Sequence, residues 1–155
     1  MVEIERKFRI YSLDFMAAAY QQDRIRQGYL NSAAERTVRV RIRGEQGFLT
    51  IKGKSNHSGT TRLEWEKEIS LQDAEALMPL CEDYIIDKTR YLIHSGSHLF
   101  EVDVFHGENE GLMIAEVELG DENEVFTKPD WLGEEVTGDI RFYNSHLSNN
   151  PYKRW

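Results

Sequence analysis

The feature of this sequence that most constrains its fold is an alternation of apolar and charged residues, which recurs along most of the chain. In the first such segment, Val2, Ile4 and Phe8 alternate with glutamate, lysine and arginine. A period of two is typical of a β-strand, because successive side chains of a strand point to opposite faces of the sheet. The pattern predicts about eight strands. They are residues 2–9, 24–30, 36–43, 48–54, 62–69, 88–91, 98–105 and 115–119.

Short glycine-containing segments separate several of the predicted strands. Residues 44–47, 95–97 and 107–111 each combine glycine with polar residues, as tight turns do. Connections this short join neighbouring strands, so the sequence favours an antiparallel meander.

Helices are expected to be fewer than strands. Ser12 can cap a helix over 12–22, Ser70 can cap a second helix, and Asp139 can cap a third over 139–147. No repeat or linker divides the chain. The predicted fold class is therefore α+β, mainly β, with residues 1–155 in a single domain.

The polar face of the predicted strands consists almost entirely of full charges. Residues of the same sign recur two positions apart, as in Glu3 and Glu5 or Arg39 and Arg41. Such neighbours lie about 7 Å apart on one face of a strand, so the two members of each pair repel each other. A solvent-facing sheet explains any single strand. Repeated like-charged pairs make more sense if each pair binds something of opposite charge.

The charges of this alternating set nearly cancel. The set contains ten basic and nine acidic residues, whereas the whole chain has a net charge of −8, so the other residues carry −9. This acidic remainder disfavours the binding of long nucleic acid. The basic members are Lys7, Arg9, Arg39, Arg41, Arg43, Lys52, Lys54, Arg62, Lys88 and Arg90. The acidic members are Glu3, Glu5, Glu64, Glu66, Glu68, Glu101, Asp103, Glu116 and Glu118.

A closed eight-stranded barrel with these charges inside would have room for one small ligand. Dry burial of so many ions would be prohibitively costly, so the interior must hold water, metal and a polyanion. Carboxylate clusters suit hard cations such as Mg²⁺ or Mn²⁺. Clusters of arginine and lysine suit phosphate oxygens. The pattern therefore predicts a site for a metal–phosphate complex.

The charged residues also form an ordered series of motifs. The series begins with Glu3-Ile4-Glu5-Arg6-Lys7, which has the form ExExK. It continues with Gln27-Gly28-Tyr29-Leu30, Arg39-Val40-Arg41, Thr50-Ile51-Lys52-Gly53, Arg62-Leu63-Glu64-Trp65-Glu66, Lys88-Thr89-Arg90, Glu101-Val102-Asp103 and Ala115-Glu116-Val117-Glu118-Leu119. This series resembles the CYTH-domain proteins, the triphosphate tunnel metalloenzymes, and the C-terminal region resembles their short bacterial members. The resemblance implies a closed eight-stranded antiparallel β-barrel with helices packed outside, which binds a triphosphate group and a divalent metal.

The resemblance also implies phosphoanhydride hydrolysis, in which basic side chains clamp the phosphates and offset the charge that develops on the transferred group. The expected phosphate-binding residues are Lys7, Arg39, Arg41, Lys52, Lys88 and Arg90. Tyr29 is expected to face Lys7, where either a lowered tyrosine pKa or a water positioned by the lysine would serve catalysis. The expected catalytic residues are Lys7, Tyr29 and Lys88.

Acidic residues are expected to bind the metal, Mg²⁺ or Mn²⁺. One group would hold a metal that positions or activates the attacking water. It consists of Glu3, Glu5, Glu116 and Glu118. A second group would either bind a metal carried by the substrate or orient the arginine side chains. It consists of Glu64, Glu66 and Asp103.

The resemblance favours hydrolysis of inorganic tripolyphosphate but leaves other activities open. One is class IV adenylyl cyclase, which would need a base-binding pocket that the sequence does not reveal. Others are a thiamine or nucleoside triphosphatase and a non-catalytic module that binds polyphosphate. An ordinary charged β-barrel is the structural alternative.

The cellular location of the protein and the class of its partners are also predicted from the sequence. Its apolar runs are far shorter than the roughly 18 residues of a membrane span. The first residues lack the basic start and apolar stretch of a signal peptide. We therefore expect a cytoplasmic protein that contacts a small-molecule triphosphate and no membrane. The oligomeric state is open, with a homodimer as one expectation, and the C-terminal segment is a candidate plug for one end of the tunnel.

Overall fold

The computed structural model describes all 155 residues and contains eight strands. The strands are β1 (Val2–Arg9), β2 (Gln21–Asn31), β3 (Arg36–Arg43), β4 (Gln46–Gly53), β5 (Thr61–Ile69), β6 (Ile86–Ser95), β7 (His98–Phe105) and β8 (Met113–Glu118). The α-helices are α1 (Leu71–Leu77) and α2 (Asn144–Leu147). The 3₁₀ helices are Asp14–Ala18, Met78–Leu80, Gly107–Asn109, Ile140–Phe142 and Tyr152–Arg154. No helix is both long and apolar enough to span a bilayer.

The eight strands close into one antiparallel barrel in the order β1-β5-β4-β3-β2-β6-β7-β8. The expected closed eight-stranded barrel is confirmed, but the simple meander is wrong. β1 lies between β5 and β8, and β6 pairs with β2 rather than β5. The reason is the connection after β5, in which α1 packs against β3 and β4 outside the barrel and carries the chain across them to β6.

The helix predicted over 12–22 is wrong. Only the 3₁₀ helix Asp14–Ala18 forms there, and β2 begins at Gln21. The backbone N–H of Tyr20 donates to the carbonyl of Leu92, and the next residues pair with β6. Pairing between distant strands therefore overrides the local capping signal, as tertiary contacts often override helix propensity.

The other two predicted helices form in altered lengths. The Asp73 N–H donates to Ser70 Oγ at 3.0 Å, which confirms the predicted cap of α1. Asp139 also acts as a cap, since its carboxylate accepts from the Arg141 N–H. The helix predicted over 139–147 is instead divided into a 3₁₀ turn and α2.

The apolar core lies outside the barrel wall. Phe8, Val102 and Val117 belong to one cluster of buried residues, which includes Phe15 from the segment after β1. Val40 and Ile42 of β3 pack against α1 in another. A third cluster joins β6 and β8 to the C-terminal segment. Because side chains alternate along a strand, the residues between these apolar ones face the barrel interior.

Candidate active site

The barrel interior contains a cavity of about 190 Å³, lined by 21 residues of which only two are hydrophobic. All the predicted site residues except Asp103 line this cavity. They are Glu3, Glu5, Lys7, Tyr29, Arg39, Arg41, Lys52, Glu64, Glu66, Lys88, Arg90, Glu116 and Glu118. All eight strands of the barrel contribute side chains to the cavity, and almost every group in it is charged or polar.

Asp103 lies behind the cavity wall, where it orients two basic side chains. It is only 1% exposed. Its carboxylate accepts two hydrogen bonds from Arg90, at 2.8 and 3.0 Å, and lies 2.8 Å from Lys88 Nζ. Burial lowers the pKa of Lys88 to about 7, although Asp103 opposes this shift. Because both of its oxygens are engaged, Asp103 fits the second of its predicted roles, which is to orient basic side chains.

We expect Asp103→Ala to reduce the free energy of unfolding by about 3 kcal/mol, because it removes the buried counter-charge of Lys88 and leaves Arg90 with only the partly exposed Glu101. Urea denaturation in EDTA measures this change. Glu101 is the matched control, since it also bonds Arg90, at 3.0 Å, but is partly exposed. Glu101→Gln is expected to cost under about 1 kcal/mol. Equal stability of Asp103→Ala and the wild type would show that Asp103 does not stabilise Arg90 and Lys88 in the folded protein.

Lys52 and Glu3 form the centre of a second ion-pair cluster. Lys52 Nζ donates to both Glu3 oxygens, at 2.8 and 3.0 Å, and lies 3.3 Å from Glu64. Arg62 Nε donates to the same Glu3 carboxylate at 3.2 Å. Burial alone would raise the pKa of Glu3, but Lys52 and Arg62 lower it to about 2. Glu3 is therefore ionised throughout the physiological range.

Arg41 and Arg39 are buried cations that are incompletely paired. Arg41 forms no ion pair with a carboxylate, and its Nε donates to the amide oxygen of Gln27 at 2.7 Å. Burial, together with the charges of Arg39 and Arg90, lowers the pKa of Arg41 to about 9. Arg39 reaches Glu66 at 3.4 Å, but its buried Nε has no hydrogen-bond partner. Buried donors normally have partners, so this part of the wall suits an anion.

Comparison with known proteins identifies the family. The model of the CYTH domain matches residues 1–143. The chain belongs to the CYTH-domain family. An inorganic triphosphatase of Acetivibrio thermocellus is 50% identical over 154 residues, which cover 99% of this chain and 97% of that protein. An inorganic triphosphatase of Nitrosomonas europaea is 38% identical over 155 residues, covering 96% and 97%.

Solved structures agree with this assignment of the CYTH domain. The crystal structure of an inorganic triphosphatase has a TM-score of 0.64 and 35% identity, and the match covers 94% of this chain and 97% of that one. A protein of Pyrococcus horikoshii has a TM-score of 0.63 over 78% of this chain and 80% of that one. Its identity is 19%, so it supports the fold alone.

The acidic side of this CYTH domain suits a hard cation. Glu5 lies opposite Glu118 in the β1–β8 pairing. Burial, together with the charges of Glu116 and Glu3, raises the pKa of Glu5 well above its ordinary value. Burial would also raise the pKa of Glu116, but Lys7 and Arg90 lower it well below. A divalent cation would offset the repulsion within this crowded carboxylate set, so its chemistry fits a hard divalent metal.

The predicted metal ligands do not all converge. Glu3 faces Lys52 and Arg62, and no three acidic or histidine side chains surround a single point. The Glu66 carboxylate accepts from Thr50 Oγ1 at 2.7 Å. Glu5 and Glu118 form no ion pair, and Glu116 approaches only Lys7, at 3.7 Å, so these three carboxylates are the least engaged of the predicted ligands.

Lys7 has a different aromatic neighbour from the expected one. No hydrogen bond or ring contact joins it to Tyr29. Its ammonium lies 5.1 Å from the ring centre of Tyr143 and donates to the carbonyl of Phe142 at 3.3 Å. Both contacts come from the C-terminal segment, which approaches Lys7 from outside the strand pattern. Tyr29 still lines the cavity, so the catalytic role of this residue remains a prediction.

The C-terminal segment supplies part of the cavity wall, at residues 143–145. Tyr143 Oη donates to Ser55 Oγ at 3.4 Å, and the side-chain amide of Asn149 donates to Ser32 Oγ at 2.9 Å. Ser32 follows β2 and Ser55 follows β4, so the segment lies across the barrel end that contains these loops.

Eight further cavity residues were not among the predicted site residues. They are Gln27, Thr37, Arg43, Arg62, Glu101, Tyr143, Asn144 and Ser145. The alternation placed Arg43, Arg62 and Glu101 in the charged set without a site role, and it placed Gln27 on the same face as Tyr29. The last three lie in the segment predicted as a helix over 139–147, where no pattern pointed to the cavity.

Proposed function

We propose that this protein hydrolyses inorganic tripolyphosphate to pyrophosphate and orthophosphate inside the barrel. The observation that carries the proposal is the incomplete pairing of two buried arginines: Arg41 has no carboxylate partner, and Arg39 Nε has no hydrogen-bond partner. A polyanion would supply those partners. The names of the two CYTH relatives, both inorganic triphosphatases, support the same activity.

The basic wall would bind the phosphates and stabilise the transition state. The cations come from different strands and converge on one small cavity, so they can contact successive phosphate groups. Positioned charges of this kind offset the charge that develops on a transferred phosphoryl group. Asp103 keeps Arg90 and Lys88 in place, while Arg41 remains free of any carboxylate that would compete with phosphate.

Membership in the CYTH family implies metal dependence in general, and we propose that the metal is Mg²⁺ or Mn²⁺. Glu5, Glu116 and Glu118 would bind it. A bound divalent metal lowers the pKa of water and bridges phosphate oxygens. Lys7, whose ammonium lies 3.7 Å from Glu116, would stay beside this carboxylate set.

The small, polar cavity favours an inorganic substrate over an organic triphosphate. Its volume is about 190 Å³, and only two lining residues are hydrophobic. A base-binding pocket needs apolar and aromatic surface. The C-terminal segment occupies one end of the barrel, which further restricts the room for a nucleoside. Hydrolysis of tripolyphosphate is therefore better supported than cyclisation of ATP.

Incubation of the pure protein with tripolyphosphate, ATP or thiamine triphosphate tests the proposal. Each reaction contains Mg²⁺ or Mn²⁺, or EDTA as the metal-free control, and the products are resolved by ion chromatography. We expect orthophosphate and pyrophosphate from tripolyphosphate, and no turnover in EDTA. Cyclic AMP from ATP, or binding of tripolyphosphate without turnover, would overturn the proposal.

A further inference from the structure

Two neutral side chains connect two of the cations in the cavity wall. Arg41 Nε donates to Gln27 Oε1 at 2.7 Å, and Gln27 Nε2 donates to Asn144 Oδ1 at 3.0 Å. Lys88 Nζ donates to the same Asn144 oxygen at 2.9 Å. Gln27 is fully buried and Lys88 is 1% exposed. We call this chain of hydrogen bonds, from Arg41 through Gln27 and Asn144 to Lys88, the amide relay.

The two cations at the ends of the amide relay determine which group donates and which accepts in each of its hydrogen bonds. Arginine and lysine only donate, so Gln27 must present its oxygen to Arg41 and Asn144 must present its oxygen to Lys88. The amide nitrogen of Gln27 is then left to donate to Asn144. The usual ambiguity in the orientation of an amide side chain does not arise here.

We propose that Gln27 and Asn144 are positioning residues, which fix the separation between the Arg41 guanidinium and the Lys88 ammonium for successive phosphates of the substrate. The inference rests on the proposed function. It also gives the C-terminal segment a part in binding, because Asn144 is the first residue of α2.

The neutrality of the amide relay is central to this role. Arg41 is repelled by Arg39 and Arg90, so it needs a partner to keep it in one orientation. A carboxylate would do so, but it would also compete with phosphate for the guanidinium. An amide oxygen holds the side chain and leaves its full positive charge for the substrate. At the other end of the amide relay, Lys88 contacts both the Asn144 oxygen and Asp103, so its ammonium is held from two directions.

Asn144→Leu removes the shared acceptor at similar volume. We expect kcat/KM for tripolyphosphate to fall by about 10- to 100-fold, the range that a small misplacement of catalytic groups produces. The matched control is Asn149→Ala, which removes a hydrogen bond between the same C-terminal segment and Ser32. It is expected to keep near wild-type activity. An equal loss in both variants would mean that the segment merely supports the fold, and would overturn the proposal.

Asn144→Asp separates positioning from folding. The aspartate retains an acceptor for Lys88, so we expect the unfolding midpoint to stay near that of the wild type. The added negative charge competes with phosphate, so KM for tripolyphosphate is expected to rise by about 10-fold or more. A wild-type KM would contradict the proposal, because a purely structural acceptor would tolerate this change.

A double-mutant cycle tests whether Asn144 acts through Lys88. Tripolyphosphate affinity is measured by calorimetry for Asn144→Leu, Lys88→Met and the double variant. If the amide relay operates, Asn144→Leu has little further effect once Lys88 is replaced. Independent losses in the two backgrounds would overturn the relay. Failure of the wild type to hydrolyse tripolyphosphate would instead refute the proposed function, whereas the binding cycle would still test the relay.

Discussion

Replacing Arg41 with methionine is expected to lower kcat/KM for tripolyphosphate by about 1,000-fold, as removal of an arginine that stabilises a phosphoryl transition state does. The guanidinium is buried, lines the cavity and pairs with no carboxylate, so its charge is available to the substrate. Steady-state kinetics with tripolyphosphate and Mg²⁺ measures the effect.

The same substitution is expected to leave the stability of the protein intact. Burial and the charges of Arg39 and Arg90 lower the pKa of Arg41 to about 9, which means that the folded state disfavours its charged form. That unfavourable contribution is fully present at neutral pH, and it declines only as the pH rises from about 9 towards the ordinary arginine pKa. Arg41→Met removes it, so the urea midpoint at pH 7 should not fall below that of the wild type.

Arg24→Met is the matched control for Arg41→Met. Arg24 is also an arginine of the barrel wall, but it is exposed and pairs with Asp87 at 2.6 Å. Its replacement is expected to change neither activity nor stability by much, because exposed ion pairs contribute about 0–1 kcal/mol. Near wild-type activity of Arg41→Met would show that this guanidinium does not bind the substrate.

Sequence alternation was enough to predict which strand residues face the cavity. In a strand the direction of a side chain depends only on its parity. Val40 therefore packs under α1, while Arg39 and Arg41 line the cavity. Fifteen of the nineteen residues in the charged set line the cavity, so strand parity alone located most of the lining. Asp103 shares that parity, but it lies behind Lys88 and Arg90, which fill the space in front of it.

The local sequence pattern could not predict the order of the strands in the barrel or the partners of individual side chains. The pairing of β1 with β5 and β8 depends on contacts between distant segments, and so does the contact of Lys7 with Tyr143 of the C-terminal segment. Asn144 lies within the helix predicted over 139–147, but no pattern in that segment indicated that it lines the cavity. The failed helix over 12–22 has the same origin, because its capping signal is local and the pairing of β2 with β6 is not.

Glu5→Gln is expected to lower metal-dependent activity by about 100-fold or more and, at the same time, to stabilise the metal-free protein near pH 8. The loss of activity follows from the loss of a charged ligand for the divalent cation. The gain in stability follows from the raised pKa of Glu5, which is caused by burial and by Glu116 and Glu3. The glutamine amide can still donate to Glu116.

The raised pKa of Glu5 makes the stability of the metal-free protein depend on pH. The ordinary glutamate pKa is 4.5, and the folded-state pKa of Glu5 lies well above it. The folded protein therefore binds more protons than the unfolded chain between these two values, so stability is lost as the pH rises through this window. Compared with glutamine, Glu5 should cost stability at pH 8 and cost little at pH 4.5 or below.

Thermal unfolding in EDTA at pH 4.5 and pH 8 tests this prediction, together with activity assays over a range of Mg²⁺ and Mn²⁺ concentrations. Glu68→Gln is the control, because Glu68 is an exposed residue of β5 that does not line the cavity. It should alter neither property. A Glu5→Gln protein that is less stable than the wild type at pH 8 would refute the carboxylate crowding. A variant that keeps full activity would refute the metal assignment, whatever its stability.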